Sequence, residues 1–324
     1  MDQQKRHLRS QRHRRMPWGS ITAAVLACGL VIYSLVRLIG YGSDLMSARR
    51  TAQALRQVYE TVPTEAPVSR PNAPMAVSKT ALPERTAAPT VAPMAVPLPG
   101  RALQSGAAAG YPDNPRLTVS SRFQSLQKES RYVIGWLTIP ERLDEPVAQE
   151  NNLFFLDHDA KGQPNVNGAL FLDSAIGLKS RPDTYIIYGH NMKSGAMFGN
   201  LRHYTNSAFY RSEPLITFDT MYETGRYVVF AVGNVNTETL GRTHYLDLYS
   251  LLSSDVSTRQ AAIDTLVSAS VHTCTVDVQP EDQLLILVTC VDNDAERRVV
   301  AARRVRNGED EGALKAQVEK SRSR

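Results

Sequence analysis

The pattern of apolar and polar positions divides the chain into stretches with different periods. From Trp18 to Val36 an uncharged run, WGSITAAVLACGLVIYSLV, covers about 30 Å as a helix, the thickness of a bilayer's hydrocarbon. It predicts a membrane helix over 18–40, with Trp18 and Tyr33 suited to the two interfaces. Leu45 to Tyr59 (LMSARRTAQALRQVY) is rich in helix formers and predicts a short helical stalk. From Leu117 the pattern becomes that of a folded unit. An amphipathic helix over Ser120 to Ser130 places Phe123 and Leu126 on one face. Strands are then predicted at Tyr132–Ile139, Ala169–Leu172, Thr184–Tyr188, Leu215–Phe218, Arg226–Val235, His272–Val278, Gln283–Thr289 and Arg297–Val305. One later helix, Thr258 to Ser268, is capped by Asp255 or Ser257 and turns Ile263, Leu266 and Val267 inward. Many short strands with few helices predict a mainly β protein built on a closed or nearly closed β-barrel.

Composition changes this picture at three places. Thr61 to about Gly110 is dominated by Pro, Ala, Thr and Val, and proline removes backbone donors and favours extended conformations. Residues 41–116 therefore read as a stalk followed by a coreless spacer with reach through a cell wall. The segment 1–17 carries Lys5, Arg6, Arg9, Arg12, Arg14 and Arg15 against Asp2, so the positive-inside rule keeps it in the cytoplasm and puts the remainder outside. A cleaved signal peptide is the competing reading, but the apolar run exceeds a typical h-region and no A-x-A site follows it. The tail 307–324 is charged, lacks aromatics and reads as a frayed end. The net charge of +5 is concentrated at the two ends without interleaved aromatics, so nucleic acid is not an expected partner.

Three cysteines are too few for a disulfide scaffold. Cys28 falls in the membrane helix, which leaves Cys274 and Cys290 with the option of pairing in an oxidising exterior. Cys290 ends the apolar run LLILVTC and is followed by polar VDNDAE, a strand mouth where a nucleophilic thiol would meet a carbonyl. A buried cysteine acting as a small hydrophobe fits the same position. His190 ends TYIIYGH before the loop NMKSGAMFG, where an imidazole can exchange protons or simply bond within the loop. ERRVVAARRVR then supplies arginines on a strand just after that of the cysteine. A short connection between the two predicts a hairpin that brings a guanidinium close to the thiol, where it stabilises an oxyanion. A zinc site from His190, His272, Cys274 and Cys290 lacks any ligand spacing to support it.

Taken together, YGHNM with MFGNL, an apolar run ending in TC, and R-x-V-V-x-A-R resemble the signature of the class B sortases, in the same order. GWLTIP (135–140), EPVAQENNLFFLDHD (145–159) and GALFLD (168–173) are similar to that family's early barrel strands. The resemblance covers about Leu117 to Arg306, and the helix before the cysteine's strand stands where class B members carry one. The usual T-L-x-T-C is Ile286 to Cys290 here, with an apolar residue for the first threonine. Both Arg297 and Arg298 are available, and alignment without gaps selects Arg297.

The resemblance implies a sortase-like catalytic domain over 117–306, with Cys290, His190 and Arg297 catalytic and Thr289 and Val291 against the substrate. It implies a cysteine transpeptidase in the cell membrane, acting outside. Such an enzyme cleaves a C-terminal sorting signal of surface proteins after threonine and joins the new carboxyl end to a peptidoglycan amine. No metal or organic cofactor is needed. A hydrolytic cysteine endopeptidase, a pilin-polymerising sortase using a lysine amine and a silent binding module are the alternatives.

Overall fold

The computed structural model describes residues 18–62, 114, 116–290 and 296–324. The basic segment 1–17, most of the Pro-rich run, and Val291 with the rest of 291–295 lie outside the described residues. A long helix, α1 (Trp18–Thr61), opens the chain and passes through two compact units divided after Ser47. In the first unit, Leu30, Ile32, Tyr33, Val36, Leu38 and Ile39 are all exposed. The helix is long and apolar enough to cross a membrane, with a mean hydropathy of 1.5 in its most apolar window.

The second unit is a barrel. Its strands are β1 (Val133–Ile139), β2 (Leu143–Ala148), β3 (Leu170–Leu172), β4 (Thr184–Tyr188), β5 (Leu215–Thr220), β6 (Thr224–Asn236), β7 (Leu284–Cys290) and β8 (Glu296–Arg304). They close in the order β1-β2-β3-β4-β7-β8-β6-β5, and the antiparallel β1–β5 pair completes the ring. Two pairs are parallel, β2–β3 and β4–β7. Eight strands leave an interior that side chains fill, and the apolar residues of β4, β6, β7 and β8 are almost wholly buried within one continuous core.

β2 is not among the strands predicted from the residue pattern, because LDEPVA holds two acids and a proline, although the family resemblance over 145–159 includes its second half. Pairing with β1 along its whole length overrides that poor local preference. Conversely, the predicted strand His272–Val278 makes only one isolated bridge, His272 to Ser323. The reason is topological: β7 already lies between β4 and β8, and β6 between β5 and β8, so neither has an edge to offer a ninth strand. Thr273 bonds instead to Arg322 of the tail. That tail is not frayed. Helix α5 (Glu311–Val318), capped by Asp310, buries Leu314 and Val318.

Helix α2 (Ser121–Glu129) is capped by Ser120 and buries Phe123 and Leu126, as its spacing predicts. These join Leu55 of α1, Trp136 and Phe155 in a second apolar cluster outside the barrel. From Ala48 onward α1 is therefore a wall of the folded body. Leu55 is wholly buried, the Tyr59 ring stacks on Trp136 at 4.4 Å and its hydroxyl bonds to Asp219. Thr51 donates to Asp159 at 2.8 Å, and Arg56 pairs with Asp144 at 2.7 Å. At the helix end, Arg122 of α2 donates to the Val62 carbonyl at 3.2 Å. Where the chain returns, Asn114 donates to the Thr118 and Tyr222 carbonyls at 2.7 and 3.0 Å. The two described residues that flank the Pro-rich run are thus both held by the same body.

Helix α4 (Val256–Ala269) is started by Asp255, whose carboxylate accepts from the Thr258 N–H at 2.8 Å. It packs on β6, where Gly233 meets the Ala269 carbonyl so closely that no side chain fits. Helix α3 (Ser207–Ser212) follows a stretch of 3-10 helix, Phe198–Thr205, that closes the loop after β4.

Candidate active site

The apolar run TYIIY forms β4, and its parallel pairing with β7 continues from Thr184 opposite Leu284 to Tyr188 opposite Val288. The Gly189 N–H then donates to the Val288 carbonyl at 3.2 Å. A side chain at Gly189 would collide with Leu170 and Phe198, so only glycine lets the strand end this close to its neighbours. His190 and Cys290 each lie two residues past the Tyr188–Val288 pair, at the same end of adjacent strands.

The antiparallel β7–β8 ladder brings the third group. Cys290 is the register partner of Arg297, whereas Arg298 is the partner of Thr289. Partners across a ladder share a face, and the next residue along faces the other way. Thr289 is 2% exposed, and its hydroxyl has no hydrogen-bond partner among the described residues. Its side chain is therefore not brought to an accessible surface, contrary to the expectation that it lies against a substrate. Arg297 has a quarter-exposed side chain and pairs with Glu238 at 3.4 Å.

His190 is fixed from both sides. Its carbonyl accepts from the Met192 and Phe198 N–H groups at 3.1 and 3.0 Å, which curls the loop 191–197 back on itself. Its Nε2 bonds to the Leu156 carbonyl at 2.7 Å. A carbonyl only accepts, so Nε2 carries the hydrogen and Nδ1 is the nitrogen left to exchange a proton. Below the ring, Gly168 adopts φ +62°, and a Cβ there would stand 3.1 Å from His190 Cδ2 and collide with the Phe155 carbonyl.

A buried carboxylate supports the neighbouring wall. Asp173 accepts from the hydroxyls of Tyr188 and Tyr249 at 3.0 and 3.2 Å and from Asn152 at 3.1 Å. Burial first, and then the charge of Asp173, push the Tyr188 hydroxyl far above its ordinary range, while Arg297 pulls it the other way. Sequence reading quoted Asp173 within GALFLD but assigned it no part. The Leu156 contact is a backbone carbonyl and leaves no mark in the side-chain pattern.

Cys274 is a free thiol that donates to the Val276 carbonyl, and burial raises its pKa, so it is a poor nucleophile. His272 is buried, stacked on Tyr210 and bonded to the Tyr204 carbonyl at 2.7 Å. No group of metal-binding side chains occurs among the described residues.

Residues 137–305, half of the chain, match the sortase domain model. This chain belongs to the sortase family. The sortase is similar to sortase B of Listeria monocytogenes, 29% identical over 192 residues that make up 59% of this chain and 74% of that protein. It is similar to sortase B of Staphylococcus aureus at 27% identity, over 58% of this chain and 75% of the other. Its fold matches that of a Bacillus anthracis protein similar to sortase B, with a TM-score of 0.59 at 22% identity over 81% of this chain and 97% of that one. It also matches a Staphylococcus aureus sortase B–substrate complex, with a TM-score of 0.52 at 27% identity over 59% of this chain and 87% of that one. The class B resemblance carried by the His190, Cys290 and Arg297 motifs and the closed barrel are both borne out.

Proposed function

We propose that this sortase is a membrane-anchored cysteine transpeptidase that joins surface proteins to the cell wall. The observation that carries the reading is the register of three adjacent strands, which gathers His190, Cys290 and Arg297 at one end of β4, β7 and β8. The α1 helix, with the basic residues before it in the cytoplasm, anchors the catalytic domain outside.

In this reading, a surface protein's C-terminal sorting signal lies across that end of the barrel. The Cys290 sulfur attacks the threonine carbonyl carbon, and the carbonyl oxygen takes up negative charge. Arg297 and a backbone N–H near Val291 stabilise it. His190 gives a proton to the departing amine as the C–N bond breaks, leaving a thioacyl enzyme. An amine of a peptidoglycan precursor then attacks the thioester and passes its proton to His190 as the C–S bond breaks, which restores the thiolate and protonated imidazole with which the cycle starts. One peptide bond is lost and one is gained, so no ATP is consumed.

The test is to incubate the protein with a library of sorting-signal peptides, with and without an added amine. Amine-linked product from the wild type and none from Cys290→Ala is expected. Hydrolysed peptide alone, whatever amine is present, would make the protein an endopeptidase. Full turnover by the alanine variant would end the assignment.

A further inference from the structure

We infer that the anchoring helix is a working part of the active site, with Thr51 acting as a positioning residue for His190 through the turn held by Asp159. The inference rests on the catalytic reading above only for what His190 does, and not for where it is held.

Thr51 lies on the face of α1 that meets the barrel, and its hydroxyl donates to Asp159 Oδ2 at 2.8 Å. Asp159 is only 4% exposed. Its other oxygen accepts from the Lys161 and Gln163 N–H groups at 2.9 and 3.0 Å, and its own N–H donates to the Gln163 carbonyl at 2.8 Å. One carboxylate therefore closes the turn on one side and is tied to the helix on the other. The same turn is cross-linked at its base, where the Asn165 N–H donates to the Asp157 carbonyl at 2.8 Å. Asp157 directly follows Leu156, whose carbonyl holds His190 Nε2 at 2.7 Å. From the helix to the imidazole, the path is Thr51, Asp159, the base of the turn, and the Leu156 carbonyl.

A second contact runs alongside it. Ala48, Thr51 and Ala52 line a narrow cleft whose other wall includes Gly168 and Met197. Gly168 lies beneath the His190 ring, and Met197 is bridged to Asn191 in the loop that follows it. Small residues on the helix allow this approach. The helix thus borders both segments that fix the imidazole, the Leu156 side and the 191–197 loop.

Replacing Thr51 by valine keeps the shape of the side chain and removes the donor, which leaves a buried carboxylate oxygen unpaired and loosens the turn. The experiment uses the full chain in detergent or nanodiscs, with a sorting-signal peptide and an amine. For Thr51→Val the expected result is a kcat lowered about fivefold or more with KM within about twofold, and recovery in Thr51→Ser, which restores the hydroxyl. Tyr59→Phe loosens the same helix by removing its bond to Asp219, remote from the turn, and should leave kcat unchanged. The proposal is overturned if Thr51→Val keeps its kcat, or if Tyr59→Phe loses as much. The His190 ring resonance of isotope-labelled protein gives a readout independent of turnover. It should move in Thr51→Val and stay in Tyr59→Phe. If the wild type transfers no acyl group but the resonance moves, the activity reading fails and the positioning stands.

Discussion

Arg297 stands opposite Cys290 across the β7–β8 ladder, while its neighbour Arg298 stands opposite the buried Thr289. Arg297→Ala should therefore lower kcat by about two to three orders of magnitude, the usual effect of removing an oxyanion donor, with little change in melting temperature. Arg298→Ala should act mainly on stability. Transfer kinetics with melting curves on both variants check this, and the reverse pattern would transfer the catalytic assignment to Arg298.

Gly168→Ala tests the seat of the imidazole. At φ +62° an alanine costs about 1 kcal/mol in backbone strain alone, and its methyl would press on the Phe155 carbonyl and approach His190. Activity should fall further than stability. Measurement of kcat beside the unfolding midpoint separates the two, and an unchanged kcat would show that the ring has room to shift.

Glu145, in the cleft beneath α1, is pushed up to about 7, by burial first and by the neighbouring Asp144, against the pull of Arg56 and Arg49. The folded state therefore holds this proton over a range where the unfolded chain, with an ordinary carboxyl, has lost it. Between roughly pH 4.5 and 7 folding stability must fall as pH rises, by about 1.4 kcal/mol per unit at most from this group. Comparing the pH dependence of melting in the wild type and Glu145→Gln checks this. The glutamine variant should lack that decline.

Removing everything before Leu117 should damage the enzyme. It strips α1 from the barrel, exposes Trp136 and Phe123, forfeits about 1.5–3 kcal/mol from Leu55 alone and takes the Thr51 hydroxyl from Asp159 and the Tyr59 hydroxyl from Asp219. By contrast, replacing residues 66–110 with a linker about one fifth as long should preserve the fold and add roughly 1 kcal/mol through the shorter closure. Unfolding midpoints of the two proteins decide this. Equal stability of the truncated and wild-type domains would mean that α1 contributes nothing.

Much of the barrel was legible because β4 and β7 are apolar runs, and because TYIIYGH and LLILVTC stop abruptly at polar loops. Between Arg297 and Arg298 the motif alignment chose Arg297, and the ladder register, which no local pattern carries, sets that residue opposite Cys290. β2 escaped the residue pattern, though not the family resemblance, because Asp144, Glu145 and Pro146 speak against a strand until β1 is beside them. The docking of α1 escaped for a different reason. Leu55 is one leucine among helix formers, and the bonds of Thr51 and Tyr59 reach partners more than a hundred residues away. His272–Val278 has strand-like residues, but a ring of strands that already closes leaves them no partner.

Val62 and Asn114, on either side of the Pro-rich run, are both fastened to the barrel unit. A single cut anywhere between those two residues would therefore leave the barrel end of α1 docked through Leu55, Thr51 and Tyr59, and the two pieces would travel as one.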